Sequence, residues 1–520
     1  MTAHDVVVAG AGHNSLVCAA YLARTGLRVL VLERGDRIGG DATTEEATLP
    51  GFRHDMCASA HTVFQSSPIV RNDELSLGRY GLRYLFPDPV AVMPFADGMS
   101  LTMWRDRART RAEIARYSEH DAAAYDRLLS DWDRIRAPLG TLRYTPGATR
   151  ADETAALEAA GGAEAVRWRD ASAVELIRER FEDERVRTFF LWLSLMTMTW
   201  VDRPGSGLNL LSLTAGRQTF SWTTAEGGSG ALPEALARIV VEHGGEVRTG
   251  SEVARVVVER GRAVGVATVD GVVHRAERAV VSTIHPQHLQ QLVPAGVLGD
   301  RFARHVQGWR TNVTMFVTHY ALDRAPLYRT TAGEIPAVAG AVARSTDDVL
   351  ATLDAFRAGE VRTVRAPLLC ISASAVDPTR APGGKHTLKL VGFLPYGLRD
   401  GGPERWDAIK QDVSDALFEE YLGHVSGITR ASVLASTVES PLDLERRNPH
   451  NYRGSCHGGD GSDPLDHRLE LPGLYQTGST SGGGASVSGA PGRNCAQVLL
   501  GDLGLRFEDA LRPARVSAGA

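Results

Sequence analysis

The chain opens on a βαβ pattern, and no other stretch constrains its fold as strongly. Asp5 to Ala9 is a short valine-rich run closed by glycine, the pattern of a parallel strand buried on both faces. The turn Gly10-Ala11-Gly12-His13-Asn14-Ser15 follows. An alanine- and leucine-rich helix is expected over 16–25, with Gly26 as its stop, and 28–33 reads as the second strand. In a G-x-G-x-x-G turn the first glycine allows the tight bend and the second lets the backbone approach a pyrophosphate. The third serves only helix–strand packing. Ser15 stands at that third position and is small, so the phosphate site is expected to survive. The helix N-terminus, entered through His13, Asn14 and Ser15, offers free N–H groups and the positive end of the dipole to an anion. Glu33 ends the second strand at the spacing where an acid bonds a ribose hydroxyl, with Arg34 beside it. The pattern predicts a dinucleotide site.

At 520 residues the chain is too long for one core and predicts two or three domains. A net charge of −5 leaves no basic footprint, which argues against nucleic acid as a partner. The five cysteines include no C-x-x-C, so neither a disulfide framework, a zinc site nor a redox pair is expected, and a reducing, cytoplasmic setting fits. No signal-peptide pattern precedes the first strand. No apolar run reaches the roughly 18 residues that span a bilayer. The nearest, 188–201, reads as a buried helix or a pocket wall, with a peripheral membrane contact as the alternative.

Past Glu33 the pair Gly39-Gly40 is more than a nicotinamide-binding domain calls for. "GAGHNSLVCAAYLARTG" and "VLERGDRIGG" open a series of blocks. It continues through "GGSGALPEALARIVVEHGGEVRTGSEVARVVVERGRAVGV", "SPLDLERRNP" with "CHGGD", and "GLYQTGSTSGGGASVSGAPGRNCA". In this order the blocks resemble the phytoene desaturase-like FAD-dependent oxidoreductases of the amine oxidase and carotenoid desaturase superfamily, nearly end to end. The resemblance implies an α/β fold, an FAD-binding Rossmann-like domain of the glutathione reductase-like type with an inserted mixed α+β substrate domain. The FAD domain would be discontinuous, over 1–70, 223–300 and 465–512. The substrate domain would take 71–222 and 301–464, and 513–520 would form a frayed tail. The resemblance also places the backbone of Gly39 and Gly40 beside the flavin and ribityl chain, and that of Val253 beside the adenine. Gly478, Ser488, Gly489 and Ala490 would meet the flavin edge and nearby phosphate.

The segment reading agrees with these blocks. A helix is expected over 232–243, then two strands and a β-meander that turns at Asp270-Gly271. "LRYTPGATRADE" reads as a loop, and the last helix is expected from about Pro491. No second strand–GxGxxG–helix unit occurs, which disfavours a nicotinamide-fed disulfide reductase.

With FAD as cofactor, the protein's task is to set a C–H or N–H bond over the flavin and to support proton loss. His457, in "SCHGGD", is the leading candidate for proton transfer. By resemblance it lies in a loop approaching the flavin. Cys456 stands where the family has an aromatic, and an extra glycine precedes Asp460, which puts a role for Asp460 in doubt. Tyr452 and His450 follow as weaker candidates, and Cys456 offers a conceivable covalent tether. His61 and Phe64 are expected near the substrate face, with Glu226 as a loop carboxylate. Arg493 and Asn494 are read as structural or near the pyrophosphate. Trp192, Trp200 and Trp222 are read as pocket walls or core. The function expected is removal of hydride from a small organic molecule to form a C=C or C=N bond, with oxygen or a quinone as acceptor. Alternatives are a polyene desaturase at a membrane surface, a flavin-dependent isomerase, and a non-enzymatic binder of the GDP-dissociation-inhibitor type. Substrate, acceptor and oligomeric state stay open.

Overall fold

A computed structural model describes residues 4–460, 465–481 and 486–512; the expected frayed tail, 513–520, lies outside the described residues. Strand β1, His4–Ala9, runs into helix α1, His13–Arg24, and strand β2, Val29–Leu32. The chain returns to this unit much later, through helix α2, Ala231–Glu242, and strand β3, Glu246–Arg248. Strands β4, Val253–Glu259, β5, Arg262–Thr268, and β6, Val273–Ser282, form the meander, turning at Asp270-Gly271 as expected. Strand β7, Leu474–Gln476, and helix α3, Ala490–Asp502, close the layer.

These strands make one sheet in the order β4-β5-β6-β1-β2-β3, with β7 beside β6. The pairs β1–β2, β2–β3, β1–β6 and β6–β7 are parallel. Strand β6 plays two parts: its start pairs antiparallel with β5 and its end pairs parallel with β1. The start, middle and end of the chain therefore meet in one sheet. Helices α1, α2 and α3 cover one face over a core that includes Val6, Val8, Leu16, Leu236, Ile239 and Leu499.

A second sheet of seven strands has the order 433–439, 315–322, 386–393, 368–371, 339–342, 91–94, 100–103. Its strands alternate as a two-faced sheet requires. Val317 and Val391 face a helical layer that includes Leu128, Leu191 and Leu211. Phe316, Leu388 and Leu390 face the helix Trp406–Leu422 through Trp406 and Phe418. The uncharged run at 188–201 lies largely in the buried helix Glu184–Leu195. The expected loop at 142–153 is shorter than read: one helix ends at Arg143 and the next begins at Arg150, capped by Thr149 and Asp152. Among the described residues no helix is long and apolar enough to cross a membrane.

Candidate active site

The nucleotide groove is built where the first turn meets the Gly39-Gly40 turn. The N–H of Gly39 donates to Ala11 O at 2.8 Å, and Gly12 and Gly39 form an isolated bridge. Gly10 has φ +99°, and a Cβ there would lie 2.2 Å from Thr283 Oγ1. At Gly12 a Cβ would meet nothing nearer than Ser15 Oγ at 4.0 Å, so its backbone is bare toward open space. Helix α1 begins at His13, three residues earlier than expected, with Gly12 as an N-cap that lends no side-chain bond. Its first N–H groups are left for an anion. Ser15 fills the third position without harm: fully buried, it donates its hydroxyl to Gly12 O at 2.8 Å.

Glu33 closes this end. Oε2 accepts from Ala11 N at 2.8 Å and Oε1 from Gly35 N at 2.9 Å, so two backbone amides fix the carboxylate. Ser251 N donates to Glu33 O, which lays the start of β4 and Val253 alongside. Arg34 is half-exposed, 3.8 Å from Glu252.

The far end comes from the C-terminal block. Thr477 N donates to Ser282 O, and a Cβ on Gly478 would stand 3.5 Å from His450 and 3.6 Å from Thr283. Gly489 caps α3 with φ +70° and backs onto Phe64 and Ile69; Ser488 O accepts from Tyr144 and Ala490 is buried. Arg493 holds Glu74 in a bidentate pair at 2.8 and 2.9 Å, and Asn494 donates to Arg143 O.

The residues fit a polar dinucleotide. Buried polar atoms in proteins are nearly always bonded. Along this groove His13 Nε2, Asn14 Oδ1, His450 Nδ1, Thr477 Oγ1, Thr480 Oγ1 and Ser481 Oγ are buried without a partner. Burial, then His61 and His450, bring the His13 imidazole down to about 3. His61 does not open onto a substrate face: it is sealed, bonded to Tyr84 and Ser229, and lowered to about 4 by burial. Phe64 is equally buried.

Beyond the Gly39-Gly40 turn lies a charged cluster that sequence reading missed. Asp41 Oδ1 accepts from Asn448 Nδ2 at 3.0 Å and Asn451 Nδ2 at 2.9 Å, tying the loop after the helix Pro441–Arg447 to the turn. Lys389, only 5% exposed, donates to Cys57 O and to Ser59 Oγ, and burial lowers its pKa. Asp55 pairs with Arg380 at 3.0 Å, both buried. A lysine in the middle of the apolar strand "HTLKLVGF" was the available signal. His457 belongs to this cluster. Burial lowers its pKa, Asp41 opposes that shift, Lys389 adds to it, and Nδ1 is buried without a partner.

All five thiols are free, but Cys57 and Cys456 meet with Sγ atoms 3.0 Å apart. The Cys456 thiol therefore faces the Cys57 thiol. Tyr452 sits apart from this contact. It stacks on His285 at 5.1 Å and lines an outer cavity of about 470 Å³ with Trp200, Trp309, Arg310 and Arg453. Trp192 is core: its Nε1 donates to Leu368 O and its ring stacks on Trp222 at 6.2 Å. Glu226 is exposed to solvent.

Comparison with known proteins agrees with this geometry. The family of flavin containing amine oxidoreductases matches residues 16–498. The chain is 31% identical to the Mus musculus pyridine nucleotide-disulfide oxidoreductase domain-containing protein 2, over 96% of this chain and 94% of that one. It is 26% identical to the neurosporene-forming phytoene desaturase of Cereibacter sphaeroides, over 82% and 80% of the two chains. A putrescine oxidase variant shares the fold with a TM-score of 0.62 at 16% identity, over 96% of this chain and 99% of that one.

Proposed function

The chain belongs to the flavin containing amine oxidoreductases and is an FAD-dependent oxidoreductase, and from that premise we propose that it takes hydride from a small organic substrate and leaves a C=C or C=N bond. The similar proteins span this range: one is named a phytoene desaturase and another a putrescine oxidase. FAD, when bound, supplies the two-electron acceptor.

In this reading Gly10, Gly12 and the N–H groups of His13, Asn14 and Ser15 cradle the pyrophosphate, and Glu33 and Arg34 flank the ribose. Val253 borders the adenine. Gly39, Gly40, Gly478, Ser488, Gly489 and Ala490 bound the flavin half. Residues 71–222 and 301–464 form the substrate domain, and the cavity at Tyr452 is the entrance.

The observation that carries the proposal is His457. Its Nδ1 is buried without a partner and burial keeps the ring neutral, so that nitrogen is free to accept a proton as the substrate loses one. Burial, with Lys389, favours the neutral ring and Asp41 opposes them, so a proton taken from the substrate is passed on and not retained. Asn448 and Asn451 keep Asp41 in position for that task.

Anaerobic mixing of the holoprotein with amines, small terpenoid hydrocarbons and a detergent-dispersed polyene tests this. Bleaching of the flavin by an amine or small hydrocarbon, with the unsaturated product recovered, is the expected result. Bleaching by the polyene alone would replace the small-molecule reading. Product formation without bleaching or any acceptor would point to an isomerase. His457→Gln should slow bleaching by about 100-fold or more while FAD stays bound; unchanged bleaching would remove His457 from the proton step.

A further inference from the structure

Cys57 and Cys456 are 399 residues apart in sequence, yet their sulfurs lie 3.0 Å apart. Cys57 follows the strand His54–Asp55 in the first cofactor segment. Cys456 lies in the loop that carries His457. We propose that these two thiols are a redox pair, interconverting between dithiol and disulfide, so that oxidation clasps the His457 loop to the first cofactor segment.

The contact is direct: Cys57 donates to the Cys456 sulfur at 3.0 Å. Asp41 completes a group of three ligand-type side chains within 4.8 Å, which raises a bound cation as the rival. The surroundings argue against the cation. The Lys389 ammonium lies nearby, donating to Cys57 O, and Asp41 Oδ1 is already shared by two asparagine amides. A disulfide, once formed, carries no charge and needs neither a displaced ammonium nor a free Asp41 oxygen. Access also favours this pair. Cys57 is 7% exposed and Cys456 is half-buried, whereas Cys18, Cys370 and Cys495 are 0% exposed.

A low-molecular-weight disulfide such as oxidised glutathione is a sufficient oxidant. One cysteine loses its proton and attacks a sulfur of that disulfide, releasing one small thiol. The other cysteine, losing its proton, then attacks the mixed disulfide. The Cys57–Cys456 bond forms and the second small thiol departs. The cysteines give up two electrons, the small disulfide is reduced to two thiols, and the two protons end on those thiols. The product would add a covalent tie to the Asn448 and Asn451 amides that hold the loop to Asp41.

The test uses the FAD-bound protein, equilibrated with oxidised and reduced glutathione at graded ratios, then acid-quenched, denatured, alkylated and mapped by mass spectrometry. The expected result is the joint loss of two of the five thiols, a peptide joining Cys57 to Cys456, and recovery of both thiols under excess reduced glutathione. Cys57→Ser should abolish the paired loss and leave a single glutathione adduct on Cys456, whereas Cys370→Ser should behave like the parent. Five alkylatable thiols at every ratio, or a linkage through other cysteines only, would overturn the proposal. So would a stoichiometric transition metal whose removal by chelator is required before either thiol reacts. If Cys57→Ser does not fold, the peptide map of the parent decides.

Discussion

The Ser15 hydroxyl donates to the Gly12 carbonyl oxygen at 2.8 Å, inside the turn that Gly12 opens. The side chain that replaces the usual third glycine is therefore spent on its own helix start and never reaches the groove. Ser15→Gly should leave FAD affinity within about threefold of the parent, because one lost internal bond and one interior glycine act on the helix and not on the groove. It should lower unfolding stability by about 1–2 kcal/mol through the same two effects. Gly10→Ala should do the reverse and worse. Its φ of +99° and the Thr283 hydroxyl 2.2 Å from the new Cβ leave no room, so FAD uptake should be lost. Flavin fluorescence titration and urea unfolding separate the two outcomes.

Glu33 offers a second test, because both its oxygens accept backbone N–H groups, from Ala11 and Gly35. A glutamine of the same shape cannot copy that. One of its two ends is an NH₂ group, which would face an N–H donor. Glu33→Gln should therefore weaken FAD binding by about 10- to 100-fold, the worth of one charge-assisted bond. Equal affinity of Glu33→Gln and the parent, by titration calorimetry, would show that the carboxylate has no part in holding the nucleotide.

These two residues lie in the part of the molecule that was legible in the sequence. The βαβ unit is local: strand, turn, helix and acid follow one another, and the alternation of apolar runs with glycine marks them. Even there the helix starts at His13 and not Leu16, because Asn14 and Ser15, polar by type, are buried in this fold. The lower half of the site was not legible. Asp41 and Cys57 come from the first cofactor segment, Lys389 from the strand 386–393 and Cys456 from the loop after 447, and the packing of the second sheet against the first cofactor segment brings them together. Cysteine spacing in the sequence looks for neighbours in sequence, so a pair 399 residues apart escapes it. His61 shows the opposite error. A chemistry-bearing side chain near the expected pocket turns out to be sealed and structurally bonded.

The buried imidazoles predict how stability depends on pH. Burial is the leading cause of lowering for His13, to about 3, for His61, to about 4, and for His285, to about 2. Neighbouring histidines add to it at His13 and His285, while Asp55 opposes it at His61. In the unfolded chain each titrates near 6.5. Below that pH the unfolded state binds protons that the folded state refuses, so the stability these groups support is full above about 6.5 and falls as pH falls. Between about pH 7.5 and 5.5 each should cost about 1.4 kcal/mol. Urea midpoints at the two pH values should drop accordingly, and His61→Gln should shrink the drop by about one group's share. A flat profile would mean that these rings are solvated.

The buried pair Asp55–Arg380 should behave as an anchor between the two sheets' segments, with each partner needing the other. The side chains are each 2% exposed and 3.0 Å apart. Burial alone would raise the Asp55 carboxyl, but Arg380, the Ser229 amide and the Thr44 hydroxyl outweigh it and hold the group below its usual value. Asp55→Ala leaves a guanidinium sealed in the interior, and so should destabilise by about 3–5 kcal/mol. Removing Arg380 instead strands the carboxylate at a similar cost. Removing both takes away the unpaired charge, so Asp55→Ala/Arg380→Met should lose clearly less than the sum of the single changes. Urea unfolding of the parent, the two single variants and the double variant closes the cycle. A double loss equal to the sum would show that the two charges do not depend on each other.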